Sequence, residues 1–138
     1  MHISVNLIEE PFVFEGKNEE GNKIFMDAST AIGGKGKGMR PMELLATSLA
    51  GCMSIDVLSI LRKQRQTITL FEIKTEAIRS TGTPSPFEKI GLNFIVNKEV
   101  DLEKLQHAIN LSHEKYCSVS ASLANQIQIT TTVQHAEL

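Results

Sequence analysis

The sequence predicts an α+β fold with antiparallel pairing, because its periodicities are sorted into separate groups. Period-two alternation occurs in three stretches near the N-terminus, in two more after residue 67, and in one at the C-terminal end. A long helical run separates the first group from the second, and shorter helical patterns precede the last strand. With turns of hairpin length, this gives the order βββ-α-ββ-αα-β in a single domain over residues 1–138.

Ile3, Val5 and Leu7 alternate with polar residues and open the first strand. Pro11 interrupts it, Phe12 and Phe14 resume the alternation, and Glu19-Glu20-Gly21-Asn22 reads as a hairpin turn before Ile24-Phe25-Met26. The result is a three-stranded meander. Residues 30–40, TAIGGKGKGMR, then form a loop with four glycines. No Lys-Ser or Lys-Thr follows a properly spaced glycine, so it is not a P-loop. It reads either as a flexible connector or as a basic rim of Lys35, Lys37 and Arg40 that holds an anion near the next helix.

That helix runs from Pro41, suited to a first helical turn, to about Arg65. Leu44, Leu45, Leu49, Cys52, Met53, Ile55, Val57, Leu58, Ile60 and Leu61 place apolar groups on every face, and Arg62, Lys63 and Arg65 close its end. A helix apolar all round is buried or spans a membrane. Glu43 and Asp56, with Thr47, Ser48 and Ser54 between them, argue for burial. About 24 residues make a rod of about 36 Å. One small domain has difficulty covering such a rod on all sides, so a homodimer is expected.

Ile68 and Leu70 alternate and then shift phase to Phe71, Ile73 and Thr75, which suggests a bulge. Thr83-Pro84-Ser85-Pro86 makes a turn before the alternating Ile90, Leu92, Phe94 and Val96. Asp101 is placed as an N-cap, with Val100 and Leu105 as a hydrophobic staple. Leu102, Leu105, Ile109 and Ser112 mark one face of a helix ending near His113, a short helical turn follows Cys117, and Ile127, Ile129, Thr131 and Val133 form the last strand.

Composition excludes several function classes. A chain of 138 residues with 41% hydrophobic and 22% charged residues can bury a core without staples. Net charge is −2 and no basic arm interleaved with aromatics appears, so neither nucleic acid nor a membrane is an expected partner. The start, MHISVNLIEEPF, lacks the charged and apolar regions of a signal peptide, which makes the cytoplasm the expected compartment. No His/Cys/Asp/Glu cluster has metal-ligand spacing and no G-x-S-x-G elbow occurs, so no metal or cofactor is expected.

Two cysteines admit three readings: a structural disulfide, two inert buried thiols, or a redox pair. A bridge closing roughly 65 residues would contribute about 4 kcal/mol in the chain-entropy model, but a reducing cytoplasm disfavours it. Cys52 lies within the apolar helix, where burial alone makes a thiol inert, and Asp56 four residues on would raise its pKa if nothing intervenes. Cys117 sits at the mouth of the short helix, where a thiolate is favoured, four residues after His113.

PMELLATSLAGC, then IDVLSILRKQR, then KYCSVSASL and a closing strand together resemble the OsmC/Ohr family over residues 38–134. The resemblance implies antiparallel sheets packed around long central helices in an intertwined homodimer. It further implies reduction of organic hydroperoxides, with Cys52 as the peroxidatic thiol, Cys117 as the resolving thiol, and a dithiol reductant reopening their disulfide. Peroxidase members set an N-terminal arginine beside the reactive thiolate, yet residues 1–39 contain none, and Arg40 is the nearest substitute. They also carry glutamate directly after the helix-starting proline, where this chain has Met42 and then Glu43. On a straight helix Glu43 would lie about 13.5 Å from Cys52 along the axis, on the opposite side. Ser118 stands where many members have proline. The alternative is a dimeric stress or apolar-ligand-binding protein that keeps the fold without the chemistry.

Overall fold

The three alternating stretches at the N-terminus form an antiparallel meander: β1 (Ile3–Glu9), β2 (Val13–Asn18) and β3 (Lys23–Met26), in the order β1-β2-β3. The computed structural model describes residues 1–137, in two compact units: Met1–Leu45, and the remainder from Ala46. The β2–β3 turn falls where it was expected. Gly21 takes φ +87°, its N–H donates to the Asn18 carbonyl at 3.1 Å, and the Asn22 N–H donates to Asn18 Oδ1 at 2.8 Å.

The glycine-rich loop after β3 is built around one buried carboxylate. Asp27, 2% exposed, accepts from the N–H groups of Ala28 at 2.7 Å, Lys35 at 2.9 Å and Lys37 at 3.2 Å. Burial pushes its pKa up, but these backbone donors together outweigh that and hold the carboxyl below its usual value. Such tight wrapping needs glycine: a Cβ on Gly34 would lie 1.9 Å from the Ala28 carbonyl oxygen. The expected basic rim is not available as read. Lys35 and Lys37 both pair with Glu9, at 3.0 and 2.6 Å, so a carboxylate of the same unit takes the role assigned to an anion.

α1 (Pro41–Lys63) begins in the first unit and continues into the second. It ends before Arg65 because Arg65 adopts φ +57°. The Arg65 N–H donates to the Arg62 carbonyl and the Gln66 N–H to the Leu61 carbonyl, both at 3.0 Å, which is a Schellman closure with arginine where glycine is usual. By length and a mean hydropathy of 1.8 this helix could cross a membrane. Within the chain it buries one stripe instead: Ala46, Leu49, Met53, Val57 and Leu61, at spacings of three and four. Burial on all faces is not met in a single chain, since Ile55 is 70% exposed. On the other faces Cys52, Asp56, Leu58 and Ile60 are only half-buried.

β4 (Phe71–Arg79) pairs antiparallel with β5 (Phe87–Val96). The phase slip after Leu70 marks the start of a strand, not a bulge; the irregular register lies at Ile78/Arg79. Ahead of β4 a side chain replaces the ladder. Asn97 Oδ1 accepts from the N–H groups of Thr69 at 2.9 Å and Leu70 at 3.2 Å, and its Nδ2 donates to the Thr67 carbonyl at 2.9 Å. β5 is the central strand, and Ile90, Leu92, Phe94 and Val96 on one face are all buried. Phe71 meets Phe94 edge to face, with ring centroids 6.1 Å apart.

α2 (Leu102–Leu111) starts as expected. Asp101 accepts from the Glu103 and Lys104 N–H groups at 2.8 and 3.1 Å, while Val100 and Leu105 are both buried. A π-helical turn (Ser112–Tyr116) and the five-residue α3 (Ser118–Ser122) follow, and then β6 (Gln128–His135). Here the pairing departs from the antiparallel expectation: β6 runs parallel to β5. The helical segments between them form the crossover that parallel neighbours require, which a count of alternating stretches does not reveal.

Asn97 is buried, and losing its amide leaves the Thr69 and Leu70 N–H groups without acceptors. Thr69 and Leu70 are exposed residues, so water can take part of the lost bonding, and Asn97→Ala should lower stability by about 1–2 kcal/mol, read as a lower urea midpoint at constant slope. A loss below about 0.5 kcal/mol would mean that water replaces the amide without cost.

Candidate active site

Arg40 and Glu43 close on each other at the start of α1. Arg40 Nε and Nη2 lie 3.0 and 2.6 Å from Glu43 Oε1, and the Arg40 N–H donates to Glu43 Oε2 at 3.1 Å. Hydrogen bonding by Arg40, side chain first and backbone second, holds the Glu43 carboxyl below its usual pKa. Pro41 occupies the first helical position, so Glu43 is the third residue of the helix reaching back to the cap, half of a capping box. This is a local reason for both residues to be where they are. They belong to the first unit, whereas both cysteines belong to the second.

The two thiols, 65 positions apart in sequence, are neighbours. Both are free; Cys52 is half-buried on α1 and Cys117 is 3% exposed at the joint between the π turn and α3. The Cys117 N–H donates to the Ser112 carbonyl at 2.8 Å, and its Sγ accepts from the Ser120 N–H at 3.3 Å. Burial pushes the Cys117 thiol up to about 11, helped by a hydrogen bond with Cys52 that favours its protonated form. The amides of Ser120 and Val119 act the other way. The short helix therefore has the sign expected from the sequence, but burial outweighs it. Cys117 is therefore held protonated near neutral pH.

Two residues near the thiols take parts that sequence reading did not assign. Ser112, fully buried, donates through Oγ to Asp56 Oδ2 at 2.8 Å. In sequence Asp56 is a charge near Cys52 and a mark against a membrane span; in the fold it is bound to the segment that carries Cys117. Both were visible as anomalies, a carboxylate in an apolar helix and a serine on an apolar face, and a buried polar group calls for a partner. His113 is exposed, and its Nδ1 lies 3.0 Å from Ser120 Oγ. Among the described residues no group of three or more His, Cys, Asp or Glu could hold a metal ion. A groove of about 550 Å³ on the β4–β5–β6 sheet, bounded by Lys74, Glu76, Lys89, Asn93, Thr130 and Thr132, has neither cysteine in its lining.

A family model described as "OsmC-like protein" matches residues 34–132. Protein YhfA of Escherichia coli K12 is 36% identical over 122 residues, which cover 88% of each chain. The crystal structure of a hypothetical protein from Aquifex aeolicus VF5 superposes with a TM-score of 0.80 at 31% identity, over 99% of this chain and 97% of that one. The organic hydroperoxide resistance protein OhrB of Bacillus subtilis superposes with a TM-score of 0.64 at 21% identity, over 96% of each chain. At that identity the likeness to OhrB concerns the fold alone.

Since Cys117 is raised from 9.0 to about 11, its contribution to folding is complete below about pH 9 and is lost as the pH climbs through the folded value. In a Cys52→Ser variant the two contributions from Cys52 vanish while burial remains. The Cys117 titration, followed by thiolate absorbance, should then fall below 11 yet stay above 9.0. A midpoint at or below 9.0 in that variant would show that solvent reaches the thiol and that burial is not the main cause.

Proposed function

This chain belongs to the OsmC-like protein family, and we propose that it reduces organic hydroperoxides through Cys52 and Cys117. Membership of the family supports a stress-related role. The observation that carries the finer reading is the contact between the two thiols, one on a long helix and one buried at a turn.

The chemistry divides between them. A Cys52 thiolate attacks the terminal oxygen of the hydroperoxide, the O–O bond breaks, and the alcohol leaves with a proton. Cys52 is now a sulfenic acid. The Cys117 sulfur attacks it, the S–S bond forms as the S–O bond breaks, and the departing hydroxyl leaves as water with the Cys117 proton. The thiolate is the attacking form, so the Cys117 proton has to leave as the S–S bond forms, and the departing hydroxyl takes it. An external dithiol then reopens the disulfide, passing two electrons to it. Cys52 suits the first role because a helix holds an attacking atom in line. Arg40 and Glu43 act in this scheme by fixing the start of α1. A cytoplasmic location fits free thiols in a reducing compartment.

The active form we propose is a homodimer. A single chain leaves Ile55 of α1, and Ile3, Val5 and Leu7 of β1, exposed at 70%, 65%, 55% and 45%. Apolar surface on this scale favours a partner surface over water.

Mixed with one equivalent of tert-butyl hydroperoxide, the reduced protein should lose both thiols, as counted with a thiol reagent. Cys52→Ser should abolish the reaction. Cys117→Ser should consume about one equivalent, stop at a sulfenic acid that dimedone traps on Cys52, and over-oxidise with excess peroxide. A dimedone adduct on Cys117 in the Cys52→Ser variant would reverse the roles, and thiols that persist in the unaltered protein would exclude the reaction. For the dimer, sedimentation should give twice the chain mass, and Ile55→Asp should shift it toward the single chain or toward aggregation. A folded monomer at micromolar concentration before any substitution would refute the dimer.

A further inference from the structure

We infer that Asp56 and Ser112 form a latch that sets the register in which Cys117 meets Cys52, so that both are positioning residues for disulfide formation. The inference rests on the reading of the two thiols as a redox pair, and it concerns how the fold holds them.

Cys52 and Asp56 are four residues apart on α1. Side chains at that spacing share one helix face, about 6 Å apart along the axis. Each reaches the same returning segment: Cys52 meets Cys117, and Asp56 Oδ2 accepts from Ser112 Oγ at 2.8 Å. Ser112 and Cys117 are themselves joined, since the Cys117 N–H donates to the Ser112 carbonyl at 2.8 Å. The four residues therefore close a loop of contacts: α1 from Cys52 to Asp56, across to Ser112, through one backbone bond to Cys117, and back to Cys52.

The turn shape makes the anchor necessary. In a continuing α-helix the Cys117 N–H would bond four residues back, to His113; here it bonds five back, to Ser112, in a π turn. Such turns are unusual and are held by their surroundings. His113, Glu114, Lys115 and Tyr116 are all exposed and contribute no burial, so within this turn Ser112 is the buried residue. Among the described residues its hydroxyl donates to Asp56. Removing either group frees the turn to rewind or swing, which moves Cys117 relative to the helix carrying Cys52.

The test needs no peroxide. In a dithiothreitol redox buffer, oxidised dithiothreitol takes two electrons and two protons from the protein, its own S–S bond breaking as the Cys52–Cys117 bond forms. The equilibrium constant measures how well the fold presents the two sulfurs to each other. Ser112→Ala and Asp56→Ala should each lower it by about tenfold or more, and the double variant should be no worse than the more affected single, because both remove one interaction. Asp56→Asn keeps an acceptor oxygen and should stay within about threefold of the unaltered protein. Circular dichroism confirms the fold of each variant, and since Asp56 is only half-buried, Asp56→Ala serves if Ser112→Ala does not fold. Constants within about twofold of the unaltered protein for both single variants, or effects that add in the double variant, would overturn the latch. A protein whose thiols ignore hydroperoxides while this equilibrium still responds to the latch would sink the peroxidase reading and leave the latch standing.

Discussion

A backbone amide that leaves a helix or strand inside a protein must find an acceptor, or its burial costs more than the fold can easily spare. In this chain three buried polar residues meet that demand where regular structure stops, Asp27 and Asn97 through their side chains and Ser112 through its carbonyl. Asp27 gathers the amides of the glycine-rich loop. Asn97 takes those of the segment leading into β4. Ser112 offers its carbonyl to Cys117 and its hydroxyl to Asp56 in the π turn. Apolar burial holds the helices and β5 in place, but it does not set the path of the chain between them; these three residues do.

The third lies in the segment that carries Cys117. The crossover between β5 and β6 brings that residue beside Cys52 of the long helix. A parallel neighbour obliges the chain to return to the opposite end of the sheet, through α2, the π turn and α3. Cys117 sits within that return. Its burial has a chemical consequence as well as a structural one: low polarity around the sulfur keeps it protonated, even with backbone amides directed at it.

The long helix shows the difference between an apolar sequence and a buried one. Its composition is apolar around the whole circumference, yet the chain fully buries only the stripe from Ala46 to Leu61. Hydrophobicity states that a face prefers to leave water; it does not state what will cover it. The exposed Ile55 on this helix, and the exposed apolar residues of β1, are surfaces whose composition anticipates contact beyond the single chain.

Much of this protein was legible before any coordinates. The meander and its turn at Gly21, the helix starting at Pro41, the Asp101 cap with its Val100–Leu105 staple, and the strand through Ile90 and Val96 all follow from local patterns, because caps, turns and periodicities act over a few residues. Both cysteine segments, and their likeness to a family, could also be read directly. What the sequence could not settle was every relation between distant residues. The direction of β6, the pairing of Lys35 and Lys37 with Glu9, the exchange of a ladder for Asn97 before β4, and the binding of Asp56 to Ser112 join positions up to 56 apart. Even the helix-start argument at Cys117 was correct in sign and lost to burial, a quantity that exists only once the chain is folded. Sequence by itself determined which segments form and where the two cysteines lie along them, since those depend on neighbours along the chain. Tertiary structure alone decided which of those side chains meet and which keep their protons, since contact and burial depend on neighbours in space.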